Sequence, residues 1–325
     1  MSYNRRFAME ASLKVLHTEN REVYKYIHSN GTETAIKLLS NCDRGVSKQA
    51  RDKYTVFVSS SYGCQMNCKF CMLHTKGTSY KPVDRVSTIA NINEAIQNFT
   101  TEVPAAREKA IKLSWMSMGE PLLHREMVGV ISQLIISHVL EEGMASALDT
   151  IDIGTSLPSA ISVADIRGLN DYLQRYHLYN KELKRLPSLD RPMVRFFVSL
   201  MSAVPETRNF LIPGSRDVIE KLSRLHRFLD GTGMIVHHLL LEDVNDSEKE
   251  IDAVVDLMAT KLEDCEFRLL RYNHYNGSPF QESPKFEKIA KRLTRDLKKV
   301  KVQVSPGSEV MAACGQFLVG EMGED

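Results

Sequence analysis

The chain has 325 residues, enough to bury a large core, and α/β barrels of this length often form one domain. Its 42 Lys and Arg against 41 Asp and Glu leave a formal net charge of +1, so nucleic-acid contact would have to come from a local basic patch. No apolar run approaches the ~20 residues of a membrane span, the start MSYNRRFAMEASLK lacks the apolar core of a signal peptide, and six cysteines, three of them clustered, do not read as a secreted disulfide framework; a reducing cytoplasm is the expected compartment.

In chain order, MEASLKVLHT is expected to form one short helix. EVYKYIHSNGTETAIKLLS then reads as a β-hairpin turning at Asn30-Gly31. Six β-rich runs follow: TVFVSS (55–60), IKLSWM (111–116), TIDI (150–153), VRFFVSL (194–200), MIVHHLLL (234–241) and EFRLLRY (266–272). Amphipathic stretches with apolar residues at three- and four-residue spacing lie between them, as helices packed on a sheet require. Strand–helix alternation predicts parallel strands with right-handed crossovers, and six units fall short of an eight-fold barrel. The expected fold class is α/β: a partial (β/α)6 barrel over residues 54–300, with ligands at the carboxyl ends of its strands. A helix-and-hairpin extension over residues 1–53 precedes it, and a strand (KVQV) and tail over residues 301–325 follow. The stretch HLYNKELKRLPSLDRP, 177–192, offers Lys181, Lys184 and Arg185 as a local phosphate-contacting surface, or is simply a solvated helix end and loop.

Chemistry concentrates in GCQMNCKFC, where Cys64, Cys68 and Cys71 crowd into eight residues just after the first barrel strand. A loop that wraps back on itself can aim three sulfurs at one centre. A zinc site would need a fourth ligand, for which His74 is available. An iron–sulfur cluster with three protein ligands instead leaves one iron open for a substrate or cofactor.

Cys-x3-Cys-x2-Cys with an aromatic before its last cysteine resembles the signature of the radical S-adenosylmethionine (SAM) superfamily. The resemblance implies a [4Fe-4S] cluster on Cys64, Cys68 and Cys71, with SAM bound at the open iron and Phe70 against its adenine. It also implies that MSMGEP, after the second barrel strand, is the segment that meets the SAM ammonium, through Gly119 and Glu120; a carboxylate suits an amine through a charge-assisted hydrogen bond.

Four later segments, VSLMSAVPETRNFLIPGS, LLLEDVNDSEKE, FRLLRYNHYNGSPF and PGSEVMAACGQF, resemble in order the RlmN/Cfr family, which methylates an adenine of 23S ribosomal RNA. That resemblance covers about residues 55–320 and implies an RNA adenine C-methyltransferase that carries the methyl group on a cysteine. Here Cys314, in AACGQ, matches that cysteine. Further SAM contacts implied by motif match are Ser199 in VSL, Asn273 in RYN, and Thr155 or Ser156 in IGTSLP. The implied partners are an RNA, ribosomal or transfer, and a flavodoxin- or ferredoxin-type electron donor; a monomer is expected.

The sequence also departs from the pattern. The family's second cysteine, which helps release a covalent RNA adduct by thiol attack, is replaced by Phe57. Cys42 is the expected substitute, and Cys265 stands at the wrong end of its strand. Met201 replaces a family histidine and Arg271 a proline, while Glu33 is only the nearest counterpart of a proton-accepting glutamate. These departures keep open a radical SAM enzyme acting on DNA, transfer RNA, a peptide or a small molecule, and, in a different class, a zinc-binding protein without catalysis.

Overall fold

A computed structural model describes residues 13–38, 53–182, 194–229, 233–304, 306–313 and 315–316, with the side chains of 176–182 left undescribed. Ten strands form one sheet in strictly sequential order. β1 (Lys14–His17), β2 (Val23–Ile27), β3 (Glu33–Leu38) and β4 (Lys53–Val58) pair antiparallel, with Gly31 at φ +80° in the β2–β3 turn. From β4 onward every pairing is parallel, through β5 (Ala110–Trp115), β6 (Ala147–Thr155), β7 (Val194–Ser199), β8 (Met234–Leu239), β9 (Glu266–Leu270) and β10 (Val300–Gln303).

The six expected barrel strands are therefore β4 to β9, and KVQV adds a seventh parallel strand. One expectation fails. Residues 14–17, placed in an N-terminal helix from sequence, form β1, registered from Lys14 opposite Ile27 to His17 opposite Tyr24. The run is too short to hold a helix alone, whereas the open edge of β2 supplies backbone partners at once.

Helices fill the crossovers: α1 (Arg85–Glu102), α2 (Arg125–Glu141), α3 (Val163–Glu182), α4 (Pro205–Leu211) and α5 (Val218–Phe228), α6 (Glu248–Lys261), and α7 (Phe286–Asp296). Two starts are capped by sequence-legible residues. Asp84 accepts from Ser87 N at 2.9 Å ahead of α1, and Ser247 accepts from Glu250 N at 3.3 Å ahead of α6. Among the described residues no helix is long and apolar enough to cross a membrane.

The core lies between sheet and helices. On β5, Ile111, Leu113 and Trp115 are fully buried against helix residues such as Ile131 and Ile135, and Trp115 Nε1 donates to Ser132 Oγ at 2.9 Å. Each such aliphatic side chain contributes about 1.5–3 kcal/mol by leaving water. The alternate residues of the same strands face the concave side, where polar groups gather. Asp152 on β6 is fully buried and pairs with both Lys112 on β5 and Arg195 on β7. The Phe197 ring lies under three cations from three strands: Lys112, Arg195 and Arg268, at 5.6, 5.3 and 5.0 Å from its centroid. Contact across non-adjacent strands is what a curled, partial barrel allows.

Candidate active site

The carboxyl ends of β4 to β6 carry the first half of the site. After β4 the chain runs through three serines into the cysteine loop. Its base is closed where Tyr62 and Lys81 exchange backbone hydrogen bonds of 3.1 and 2.9 Å. Gly63 enters the loop at φ +64°, where an added Cβ would sit 2.6 Å from the Ser79 carbonyl oxygen, so only glycine fits. Cys71 N donates to the Cys68 carbonyl at 3.0 Å, and a one-turn helix, Met72–Thr75, follows.

Cys64, Cys68 and Cys71 are free thiols, half-buried, and packed against apolar side chains that include Met66, Leu211 and Ile212. Burial pushes the Cys64 thiol up to about 12 and raises Cys68 well above the ordinary thiol range, with the neighbouring cysteines adding to both shifts. Such sulfurs ionise readily only against a strong local positive charge, which iron would supply. Among the described residues no three His, Cys, Asp or Glu side chains converge on a single ion. A cuboidal cluster takes each thiolate on a different iron, so the three free cysteines of one closed loop fit that group by number and type. His74, the fourth ligand a zinc site would call on, is exposed. Phe70 lies half-buried at the edge of the same apolar cluster, together with Cys64 and Cys68.

The second loop interlocks with the first. Gly119 stands at φ +93°, where a Cβ would lie 2.4 Å from Ser60 Oγ and closer still to Ser61 Oγ. Ser60 N donates to the Met118 carbonyl at 2.8 Å. Beyond Gly119, Glu120 is buried: its Oε2 accepts from both Ser156 N and Ser156 Oγ at 2.8 Å, and its Oε1 accepts from Leu122 N at 3.2 Å. Burial raises the Glu120 carboxyl above its ordinary range despite these donors. Ser156 thus holds Glu120, while Thr155 Oγ1 accepts from Leu157 N at 2.9 Å and shapes the turn. Ser199 ends β7 half-buried, and Asn273 follows β9 in the same state.

Sequence reasoning assigned no role to Arg208 or Lys25. Arg208, on α4, is 2% exposed, and its Nη2 donates to the carbonyls of Ser156 and Ser199, both at 3.0 Å, bracing two strand ends together. Its Nε and Nη1 have no acceptor among the described residues. Next to it, Lys69 N of the cysteine loop donates to the Leu211 carbonyl at 2.9 Å. The available signal was the arginine inside PETRNFLIPGS, which charge alone reads as a surface group.

Lys25, fully buried on β2, lies 2.8 Å from Glu33 Oε2 and donates to the Met311 carbonyl at 2.8 Å. Lys37 donates to the Pro306 carbonyl at 2.8 Å. The hairpin thereby grips the tail, whose far end reaches the cysteine loop: Met72 N donates to the Gly315 carbonyl at 3.0 Å, and that oxygen is 3.9 Å from Cys71 Sγ. Gln316 Nε2 continues to the His274 carbonyl at 2.8 Å. Cys314 and Cys42 lie outside the described residues, as do Lys184 and Arg185 and the side chain of Lys181. The described neighbours of position 314, Ala313 and Gly315, belong to this docked segment.

No protein-family model matches the chain. Over 313 residues, 92% of this chain and 80% of the relative, it is 28% identical to a protein named probable dual-specificity RNA methyltransferase RlmN from Synechococcus sp. strain RCC307. A dual-specificity RNA methyltransferase RlmN from Sulfurovum sp. strain NBC37-1 is 25% identical over 91% of this chain and 76% of its own length. This chain is similar to the RlmN proteins along nearly its whole length. A radical SAM methyltransferase of Sphaerobacter thermophilus shares the fold, with a TM-score of 0.69 over 94% of this chain and 80% of that one at 22% identity.

The departures from the RlmN pattern have local structural roles. Phe57 packs half-buried against the apolar cluster of Val23, Ala35 and Ala312 on which Cys71 also packs, with Lys37 Nζ 4.8 Å from its ring centroid. Arg271 pairs with Glu282 at 2.7 Å and with Glu287, and its guanidinium covers the Phe286 ring at 3.9 Å. Met201 is buried at φ +59° among the apolar side chains beneath the cysteine loop. Cys265 is buried ahead of β9, at the end of the strand away from the site.

Proposed function

We propose that this protein is a radical SAM RNA methyltransferase that modifies an adenine carbon and carries the methyl group on Cys314. The observation that carries this reading is the docking of the tail on the cysteine loop, Gly315 carbonyl to Met72 N at 3.0 Å, which brings the described residue next in sequence to Cys314 against the loop of Cys64, Cys68 and Cys71. Cys64, Cys68 and Cys71 would hold a [4Fe-4S] cluster. When bound, cluster and SAM supply one-electron cleavage of a sulfonium and a carbon-centred radical.

The chain's own residues do the rest. Glu120, fixed by Ser156 and Leu122, presents a buried carboxylate to the SAM ammonium, which would relieve the unfavourable burial of its charge. Phe70 offers an apolar face to the adenine of SAM, and Ser199 and Asn273 offer polar groups at the ends of β7 and β9. An aromatic adenine carbon is too weak a nucleophile to take a methyl cation directly. A thiolate is not: with its S–H proton lost, Cys314 would take the methyl group from the sulfonium of SAM, leaving S-adenosylhomocysteine. The substrate adenine would be unstacked to reach the barrel mouth. A flavodoxin- or ferredoxin-type protein is the proposed electron donor, a reducing cytoplasm the proposed compartment, and a monomer the proposed working form.

The test is mass spectrometry of the Cys314 peptide after anaerobic cluster reconstitution and incubation with methyl-deuterated SAM, alongside nucleoside analysis of RNA supplied as substrate. A labelled methyl on Cys314 and on an RNA adenine supports the proposal. An unmodified Cys314 with SAM still cleaved to 5′-deoxyadenosine removes it. Phe57, in place of a releasing thiol, is the observation that favours a second reading, radical chemistry on DNA, a peptide or a small molecule. Products formed from those acceptors and not from RNA would establish that alternative.

A further inference from the structure

Several exposed arginines are neutralised within the fold, such as Arg21 by Glu102 and Arg167 by Asp171. On α7, a helix that looks basic in sequence, Arg292 pairs with Glu248, Asp252 and Asp296, and Arg295 pairs with Asp296. The groove between α4, α5 and the end of α6 differs. It encloses about 930 Å³ and is lined by five cations, Arg208, Arg216, Arg224, Arg227 and Lys261, against two carboxylates, Asp217 and Glu220. Glu220 is already paired to Arg224 in an exposed contact of the weak kind. Arg216, Arg227 and Lys261 have no carboxylate partner among the described residues. In a chain of net charge +1 this is a concentrated local excess of positive charge.

Two features connect the groove with the site. Its inner wall is Arg208, whose Nη2 braces the strand ends carrying Ser156 and Ser199. Beside it, α4 exposes Phe210, 48% accessible, with Lys69 of the cysteine loop 4.0 Å from its ring centroid. An exposed aromatic ring on a helix that also walls a cationic groove suits single-stranded nucleic acid, whose bases stack while its phosphates are neutralised.

We infer that the α4–α5–α6 groove is the seat of the RNA backbone, taking phosphates on Arg216, Arg227 and Lys261 while Phe210 stacks a base of the strand led to the barrel mouth. The inference rests on the RNA reading proposed above and adds the surface that delivers the substrate. Phosphate contacts of this kind fix register and carry the salt dependence of binding, while the mouth selects the base.

The experiment uses the full chain, purified anaerobically with its cluster, and a fluorescein-labelled RNA hairpin with an adenine-rich loop, titrated over a series of salt concentrations. Arg216→Glu/Arg227→Glu is compared with Lys249→Glu/Lys291→Glu, which makes the same change in net charge at exposed lysines outside the groove. Thermal melts confirm that both variants are folded, and Phe210→Ala provides a second variant without a charge change. The slope of log affinity against log salt is expected to shrink by about 1.4 in the groove variant, two contacts at ~0.7 each on a single strand, and to hold in the control. Phe210→Ala is expected to weaken binding about tenfold with the slope retained. A groove variant with the parent's slope, or equal losses in both charge variants, overturns the inference while leaving the RNA reading intact. A parent that binds no RNA overturns both.

Discussion

Glu120 and Ser156 sit on different strand ends and are joined twice: one carboxylate oxygen accepts from both the backbone and the hydroxyl of the serine, at 2.8 Å each. A buried carboxylate oriented in this way before any cation arrives is a preorganised receptor for an ammonium. Glu120→Gln keeps the shape and removes the charge. It is expected to weaken SAM binding about 10- to 100-fold, from the ~1.5–3 kcal/mol of a hydrogen bond to a charged group. Burial raises the Glu120 carboxyl above the ordinary 4.5. SAM affinity should therefore fall as pH drops through that raised value, while the SAM-free protein gains stability from this group over the same interval, because its folded form binds the proton more tightly. Calorimetric titration with SAM from about pH 8 to about pH 5 checks the affinity; equal affinity for parent and Glu120→Gln would remove Glu120 from the SAM site.

Lys25 and Glu33 form an ion pair with 0% and 1% of their side chains exposed. Lys25→Met leaves the Glu33 carboxylate buried without its cation and the Met311 carbonyl without its donor. The expected loss is about 3–5 kcal/mol in chemical denaturation of the apoprotein, most of it recovered by adding Glu33→Leu. Additive losses in the double variant would show that the two side chains do not act as a pair.

His238 is fully buried on the helix side of β8, against Phe267, with no hydrogen-bond partner on either ring nitrogen among the described residues. Burial pulls it down to about 4, and pulls His237 to about 3 and His28 to about 4, from an ordinary 6.5. The unfolded chain thus takes up protons that the folded one refuses, so stability is lost as pH falls from 6.5 towards 4. His238→Leu is expected to add about 1 kcal/mol at neutral pH by removing unpaired polar atoms, and to flatten the acid side of the profile of melting temperature against pH. A variant with the parent's acid slope would contradict the assignment.

Phe57 stands where the proposed chemistry would use a thiol, on the apolar cluster against which Cys71 also packs, with the Lys37 ammonium over its ring. A cysteine there would meet a nearby cation that favours its thiolate. If adduct release limits turnover, Phe57→Cys, with a dithiol reductant present to reopen the disulfide it forms, should raise the product freed per enzyme from the first cycle onward and leave the rate of adduct formation unchanged. Quench-flow measurement of product per enzyme would distinguish this from a variant that merely binds RNA differently.

The strand-by-strand course of the barrel was legible because β4 to β9 each carry a buried apolar face and each crossover carries helical spacing. The N-terminal strand was not: Lys14–His17 has no strong periodicity, and its state is set by the neighbouring edge of β2. Among the residues of the proposed site, Cys64, Cys68, Cys71, Gly119 and Glu120 announce themselves by spacing and local motif. Lys25, Lys37 and Arg208 do not, because each acts on backbone carbonyls far away in sequence, Met311, Pro306, Ser156 and Ser199, and a carbonyl leaves no trace in the identity of its residue.

The grip of the hairpin on the tail also has a consequence in time. Lys25 and Lys37 are made early and their partners at 311 and 306 nearly three hundred residues later, with the whole barrel synthesised between them. A nascent chain can complete the cysteine loop and most of the sheet long before the segment flanking position 314 exists. The order of synthesis therefore separates two parts of the proposed site: a half-made molecule already carries the cysteine loop, but the proposed methyl carrier arrives only when the barrel it serves is already standing.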